Sequence, residues 1–505
     1  MAESELKYNT LIISDIHLGE DLKPSAKEAD HLHLDMVEKQ LCQFIDYHAR
    51  RREDGMPWRL VINGDMIDFM TIAIFPDHPN FENKETTQDE RLFGYARTPK
   101  VAEAIMDMVG ERHFEVFRSM ARFLSRGNRI EIISGNHDTE LHWPTTQARI
   151  RQIVAKAWDS LQDSTKPDAP SKNDLEKQIG FHPWFFYEPG VLWIEHGHQY
   201  DECCSFEHQL YPRRPKSDQI VTNVDTAGVK FVSNYAPESD PNIENWSAFG
   251  YLRFAVGLGF KGASKLAKGY YMFSKTLLKV WRAGAKRSVD LGVVADGHRQ
   301  RMQVLSQVWG LPMSTLEGLD DLRHSPVVGS LARLSRVLML DKMLFFLLAV
   351  VAAFISVIVF EGFLALSGSI AAFVLATLAT MWSATKRNVS PQQSLLLTPE
   401  RILNQIDAQY VVFGHTHEPV RAPMGEKGIY FNTGTWVPTG KPGLLRAFTH
   451  VVVKHQGSGV VGELCQWRDG ASRIFKTDPS DRVVLATQPA EDFAPSNEAL
   501  RAKAS

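Results

Sequence analysis

The chain has 505 residues, 44% of them hydrophobic and 23% charged, with a formal net charge of −3. That length exceeds one compact core and implies two domains, or one domain with a large insertion. The ordinary composition excludes a wholly disordered or collagen-like chain, and the charge balance gives no global reason for a nucleic-acid partner.

The N-terminal stretch MAESELKYNT is polar and acidic, without the basic start and apolar run of a secretory signal, so none is expected. Short apolar runs then recur at Leu11–Ile13, Leu60–Ile62, Ile130–Ile133, Val191–Ile194, Tyr410–Phe413 and Ile429–Phe431. Each reads as a strand buried on both faces. Helical stretches lie between several of them, for example His33–Arg50 and Val101–Ser125. Strand–helix–strand order predicts a layered α/β domain. Gln162–Asn173, rich in Asp, Ser, Lys and Pro, reads as a surface loop, and the polar tail 479–505 as disordered. Cys42, Cys203, Cys204 and Cys465 are too scattered for a disulfide framework and form no CxxC pair, which fits a reducing compartment and argues against a structural zinc knuckle.

Residues 215–391 differ from the rest. A basic amphipathic helix comes first: Leu266, Tyr270, Phe273, Leu277, Val280 and Trp281 share one face, while Lys265, Lys268, Lys275, Lys279, Arg282 and Lys286 share the other, with Met272 as an exception on the basic face. Such a helix suits an anionic membrane surface, or else it lies on the protein with its basic face in water. Two charge-free runs follow, Met343–Phe360 and Phe363–Trp382, separated only by Glu361 and Gly362. Each is long enough to span a bilayer's hydrocarbon core. Arg333, Arg336 and Lys342 precede them, and Lys386 and Arg387 follow. The expectation for 343–382 is a membrane hairpin with both feet in the cytoplasm; the alternative is a helical hairpin buried in a soluble core.

Five short motifs end five of the strands: Ser14-Asp15-Ile16-His17, Gly64-Asp65-Met66-Ile67-Asp68, Gly135-Asn136-His137-Asp138, His196-Gly197-His198 and Gly414-His415-Thr416-His417. In an α/β layered domain strand ends gather on one edge, so these residues converge. Imidazole, carboxylate and amide oxygen without thiolate suit Mn, Fe or Zn. The glycines before Asp65, Asn136 and His415 permit tight turns and close backbone approach. A lone Asp-x-His or His-x-His is a weak signal; all five in this order form a strong one.

The set resembles the calcineurin-like metallophosphoesterase superfamily over about residues 8–212 and 396–450, including Tyr430-Phe431-Asn432-Thr433-Gly434-Thr435-Trp436. The stretch HGHQYD from His196 is also similar to bacterial members, among them relatives of UDP-2,3-diacylglucosamine diphosphatase. The resemblance implies a four-layer αββα sandwich in two parts, 1–214 and 392–478, interrupted by the mostly helical insertion 215–391. It implies two divalent metal ions, Mn foremost with Fe or Zn as alternatives. Asp15, His17 and His417 would bind the first, Asn136, His196 and His415 the second, and Asp65 both. His137 would contact the phosphate and protonate the leaving oxygen, Asp138 would orient His137, and Asp68 and His198 would lie just outside the ligands. The expected reaction is hydrolysis of a phosphate ester or diphosphate bond. The hairpin favours a lipid-linked substrate and a membrane-associated enzyme with its catalytic domain in the cytoplasm. The alternatives are a phosphodiesterase or nuclease acting on a cyclic nucleotide, a nucleotide or nucleic acid, a protein phosphatase, and a membrane-bound scaffold without activity.

Overall fold

The computed structural model describes residues 7–81, 85–161, 174, 177–233, 257, 259–286, 288–385, 391–438, 446–457 and 459–476. The loop expected at 162–173, the tail 479–505 and the basic pair Lys386 and Arg387 lie outside these.

The six apolar runs all become strands, and the chain folds as a mixed α/β protein with two mixed sheets. In the first sheet β1 (Asn9–Ile13), β2 (Trp58–Asn63), β3 (Arg129–Ile133) and β4 (Ile179–His182) run parallel in that order. The antiparallel strands β10 (Thr449–Gln456), β11 (Gly459–Arg468) and β12 (Ala471–Ile474) extend it beyond β1. The second sheet has the order β5-β6-β7-β9-β8. Here β6 (Leu192–Glu195), β7 (Tyr410–Phe413) and β9 (Gly428–Asn432) are parallel, flanked by antiparallel β5 (Phe185–Glu188) and β8 (Val420–Met424).

Alternation along the strands divides their side chains between cores. Leu11, Ile13, Leu60, Ile62, Ile130 and Ile132 pack with helices α1 (Glu28–Ala49), α2 (Pro99–Arg112), α3 (Phe114–Leu124) and α4 (Pro144–Asp159). Ile12, Val61 and Ile133 meet Phe186, Ile194, Val412 and Phe431 of the second sheet. Phe185, Trp193, Val411, Phe413 and Tyr430, on the remaining face, pack with residues of later helices. The run read as one helix from Val101 to Ser125 is two, broken at His113. The buried His113 ring is held by Asp21 and Glu38, at 3.2 and 2.8 Å, and these bonds fix the break.

The helical region 215–391 is not a separate body. Met302 and Leu305 of α6 (Ser288–Trp309) and Leu316 and Leu319 of α7 (Met313–Asp320) join the core on the outer face of the second sheet. Helix α5 (Gly259–Lys286) is the basic amphipathic helix. Its Phe273 and Leu277 pack against Phe231, Val327, Leu334 and Leu338, while Lys265, Lys268, Lys279 and Arg282 stay exposed. Met272, the exception on the wheel, is buried with them. The helix therefore packs its apolar face on the protein and leaves its basic face exposed.

The two charge-free runs form α9 (Leu340–Val359) and α10 (Gly362–Thr385), with the short helix α8 (Leu331–Val337) leading in. Both are long and apolar enough to cross a membrane. They pair closely: a Cβ on Gly368 would overlap Ser356 Oγ, which instead donates to the Ala365 carbonyl at 3.1 Å. At the feet, Ser383 hydrogen-bonds Asp341. Away from this seam Leu344, Phe346, Phe354, Ile358, Leu366, Leu375 and Trp382 are exposed. A hairpin buried in a soluble core is therefore not what forms.

Two histidines inside the first core give the fold a pH dependence. His48 and His450 both reach Ser472 Oγ, at 3.3 and 2.9 Å. Burial pushes the His450 imidazole down to about 4, and burial with the neighbouring His450 and Lys454 holds His48 well below its ordinary value. Both are neutral in the native protein, whereas unfolded histidine takes up its proton near pH ~6.5. The unfolded chain thus binds more protons below that pH, and this contribution to stability is lost as pH falls from about 6.5 toward 4. Thermal unfolding followed from pH 7.5 to 4.5 should show the melting temperature falling below about pH 6.5, less steeply in His450→Gln. Equal slopes in the two proteins would discard this account.

Candidate metal centre

The five strands that carry the motifs, β1, β2, β3, β6 and β7, all lie in the parallel parts of the two sheets, so their C-terminal ends lie along shared edges. The loops beyond those ends are tied to one another by backbone bonds. Ile16 N and His17 N both donate to Asp65 O at 2.9 Å, Asp68 N to Leu18 O at 3.0 Å, and Phe69 N to His137 O at 3.2 Å. At the edge of the second sheet Gly414 N donates to His196 O at 3.0 Å, and across the sheets Trp436 N donates to Asp15 O at 3.1 Å.

Five of the seven expected ligands, Asp15, His17, Asp65, His415 and His417, adopt positive φ between 49° and 70°. Each such residue without a glycine's freedom costs about 1–3 kcal/mol and persists only where its surroundings over-determine it. The glycines provide the room. A Cβ on Gly64 would overlap the His196 ring, and one on Gly135 would overlap the Asp65 carboxylate.

The side chains converge. Asp15, His17 and His417 present ligand atoms within 4.8 Å of one another, and so do Asp15, Asp65 and His196. His17 Nε2 and His417 Nε2 are 3.3 Å apart. Asn136 Oδ1 lies 3.1 Å from both His196 Nε2 and His415 Nδ1, and Asp65 Oδ2 lies 3.2 Å from His196 Nε2. The outer nitrogens of three rings are anchored: His196 Nδ1 to Asn63 O at 2.8 Å, His415 Nε2 to Asp201 Oδ2 at 3.2 Å, and His17 Nδ1 to Asp68 Oδ2 at 3.5 Å. Anchoring one nitrogen turns the other inward, the arrangement that orients imidazole ligands around a cation. Asp15 Oδ1, fully buried, has no hydrogen-bond partner among the described residues even though His417 Nε2 is 3.1 Å away. An orphaned carboxylate oxygen facing a ring nitrogen is what a shared cation would satisfy. The donors thus fit the expected metal pair.

Charge follows the same geometry. Burial works to raise the Asp15 and Asp65 carboxyls, but the surrounding imidazoles outweigh it and hold both below the usual range. Burial likewise works against protonation of His137, and Asp68 and Asp65 overcome it and raise that imidazole well above its ordinary value. His198 goes the other way: burial, then His196 and His415, keep it neutral. Its Nε2 meets Gln199 Nε2 at 2.8 Å, and its ring lies 5.5 Å from that of His196, beside the cluster.

Asp138 and Asp68 exchange the parts expected of them. The Asp138 carboxylate accepts the backbone N–H groups of Met66 and Gly135, at 2.8 and 2.6 Å, and so clamps the loop carrying Asp65 to the loop carrying Asn136. It is Asp68 that holds His137 Nδ1, at 2.9 Å. The difference follows from side-chain direction: Asp138 points back under its own turn, while Asp68 reaches across from the neighbouring loop. Three contributors went unassigned in the sequence. Asp201, inside the quoted HGHQYD, holds His415. Ser14 hydrogen-bonds both the Asp15 carboxylate and Thr433 Oγ1. Asp225, in the helical region, accepts from Asn136 Nδ2 at 2.9 Å. The first two neighbour legible motifs; nothing local marks Asp225.

In comparisons with known proteins, no family model matches the sequence and no curated protein matches it significantly.

Gly135→Ala should disrupt the centre without touching a ligand, because its Cβ must displace the Asp65 carboxylate. Purified with Mn, this variant should hold markedly less metal by atomic emission than the wild type. Undiminished metal content would show that Asp65 is not needed where it stands.

Proposed function

We propose that this chain is a dinuclear metal-dependent phosphoesterase of the calcineurin-like metallophosphoesterase type, hydrolysing a phosphate ester or diphosphate bond. The observation that carries the reading is the convergence of Asp15, His17, Asp65, Asn136, His196, His415 and His417 from separate strand ends on one buried centre. The succession of cores, helices against the first sheet, sheet against sheet, and the second sheet against helices, supports the four-layer αββα sandwich.

Asp15, His17 and His417 would hold one cation and Asn136, His196 and His415 the other, with Asp65 between them. When bound, two divalent ions supply a hydroxide nucleophile at neutral pH and neutralise charge on phosphate oxygens. Mn is the first candidate, with Fe or Zn as alternatives, because the donor set is imidazole, carboxylate and amide. His137 fills the remaining role. Its Nδ1 is engaged by Asp68, and the ring is partly open to solvent, so Nε2 can carry a proton to the leaving oxygen. Asp68 fixes the ring's orientation and favours the protonated form.

His137→Ala should lower kcat by about 10²–10⁴-fold while bound Mn stays at the wild-type level, and Asp68→Asn should do the same more weakly. Asp65→Ala should lose both turnover and metal. Full phosphatase activity in purified Asp65→Ala sinks the reading.

The hairpin supports a membrane-associated enzyme with its catalytic domain in the cytoplasm, acting on a lipid-linked phosphate or diphosphate. Two adjoining helices with exposed apolar side chains have no stable place in water. Carbonate-washed membranes should retain the protein; release by high salt alone would show that the hairpin does not span. The exposed lysines of α5 favour a second reading, a phosphodiesterase or nuclease. A turnover screen in detergent with Mn, offering an aryl phosphodiester, an aryl monoester, a lipid-linked diphosphate and single-stranded DNA, separates the two. Activity on DNA that falls steeply with salt selects the second.

A further inference from the structure

We propose that Asp225, delivered by the long segment between β6 and β7, is a positioning residue that fixes which end of the Asn136 amide faces the metal centre. The inference rests on the dinuclear reading above and extends it to a residue outside the five motifs.

An asparagine amide has two ends of similar shape and opposite function. Only the oxygen can ligate a cation, and the NH₂ group can only donate. A site built on Asn136 therefore needs something that distinguishes them. Inward, Asn136 Oδ1 lies 3.1 Å from both His196 Nε2 and His415 Nδ1. Outward, Nδ2 donates to Asp225 Oδ2 at 2.9 Å. An ionised carboxylate accepts and never donates, so a flipped amide would set oxygen against oxygen there. The bond is charge-assisted, which places it among the stronger hydrogen bonds.

Asp225 is itself held. Its own backbone N–H donates to Cys203 O at 3.4 Å. It sits in the short helix Val224–Gly228, capped by Asn223, whose Oδ1 accepts from Thr226 N at 2.9 Å and whose Nδ2 donates to Cys204 O at 2.8 Å. Arg97 Nη1 donates to Thr226 Oγ1 at 3.0 Å from the opposite side. Directly after the helix, Phe231 enters the core built from α5, Leu334 and Leu338, and a Cβ on Gly269 of α5 would overlap the Phe231 carbonyl. The carboxylate is thus presented from a braced turn. The same Oδ2 lies 4.0 Å from His137 Nε2, so Asp225 borders both the ligand and the proton donor. Among the described residues, Asp225 is the carboxylate that hydrogen-bonds the Asn136 amide.

The experiment uses the full chain in detergent, stripped of metal and titrated with Mn, for the wild type, Asp225→Ala and Asp225→Asn. Mn binding is read by calorimetry, turnover by bis-p-nitrophenyl phosphate, and folding by thermal unfolding of the metal-free proteins. The expected result is Mn affinity for the weaker site, and kcat, reduced about 10–100-fold in Asp225→Ala, with KM changed little. Asp225→Asn keeps an acceptor oxygen and should fall between. Wild-type Mn affinity in Asp225→Ala overturns the proposal. So does an equal loss of affinity in both variants when metal-free melting drops in parallel, since that marks a role in folding alone. A wild type that binds two Mn but hydrolyses no phosphate ester would sink the phosphoesterase reading and leave the affinity comparison to decide Asp225. A wild type that binds no Mn sinks both.

Discussion

Four carboxylates, Asp15, Asp65, Asp68 and Asp138, lie almost entirely out of water at one edge of the sheets, with exposures of 0, 1, 2 and 0%. Withdrawing a carboxylate from solvent costs several kcal/mol unless the charge is met. Asp68 meets two imidazoles, and Asp15 and Asp65 a ring of histidines. Asp138 is met only in part: it receives two backbone N–H groups, yet burial and the neighbouring Asp65 still push its carboxyl up to about 7. The left-handed backbone at Asp15, His17, Asp65, His415 and His417 accompanies this convergence of carboxylate and imidazole. Glycine at 64 and 135 leaves room for it, because a Cβ at either position would take the space that His196 or Asp65 occupies.

The same requirement accounts for the shape of the scaffold. Parallel strands put the ends of β1, β2 and β3 side by side in one sheet, and those of β6, β7 and β9 side by side in the other. Packing Ile12, Val61 and Ile133 against Ile194, Val412 and Phe431 brings the two rows together. A hydrophobic contact between sheets thereby sets the distance between Asp65 on one side and His196 on the other.

The long region between β6 and β7 is woven into this scaffold. Two of its helices cover the second sheet, a short turn returns Asp225 to Asn136, and a further core ties that turn to α5 and to the base of the apolar hairpin. The path from the metal centre to α9 is one continuous set of packed residues. The proposed membrane anchor and the proposed catalytic centre would share one structural support.

The sequence by itself determined six of the twelve strands among the described residues, the apolar hairpin and the five strand-end motifs that hold the candidate ligands. Each rests on a local signal: a short apolar run, a charge-free stretch of bilayer length, or His, Asp and Asn clustered directly after a strand. Tertiary structure decided the rest. Whether α5 lay on a lipid surface or on the protein depended on Phe231, Val327 and Leu334, all distant in sequence, being there to receive Phe273 and Leu277. Which of Asp68 and Asp138 steadies His137 depended on how two loops lie across each other; the family resemblance implied Asp138, and the neighbouring loop supplies Asp68. Asp225 could not be read at all, because a carboxylate 89 positions from its partner acquires its meaning only when the chain returns. Patterning fixes which face of an element is buried; only the assembled fold fixes what that face is buried against.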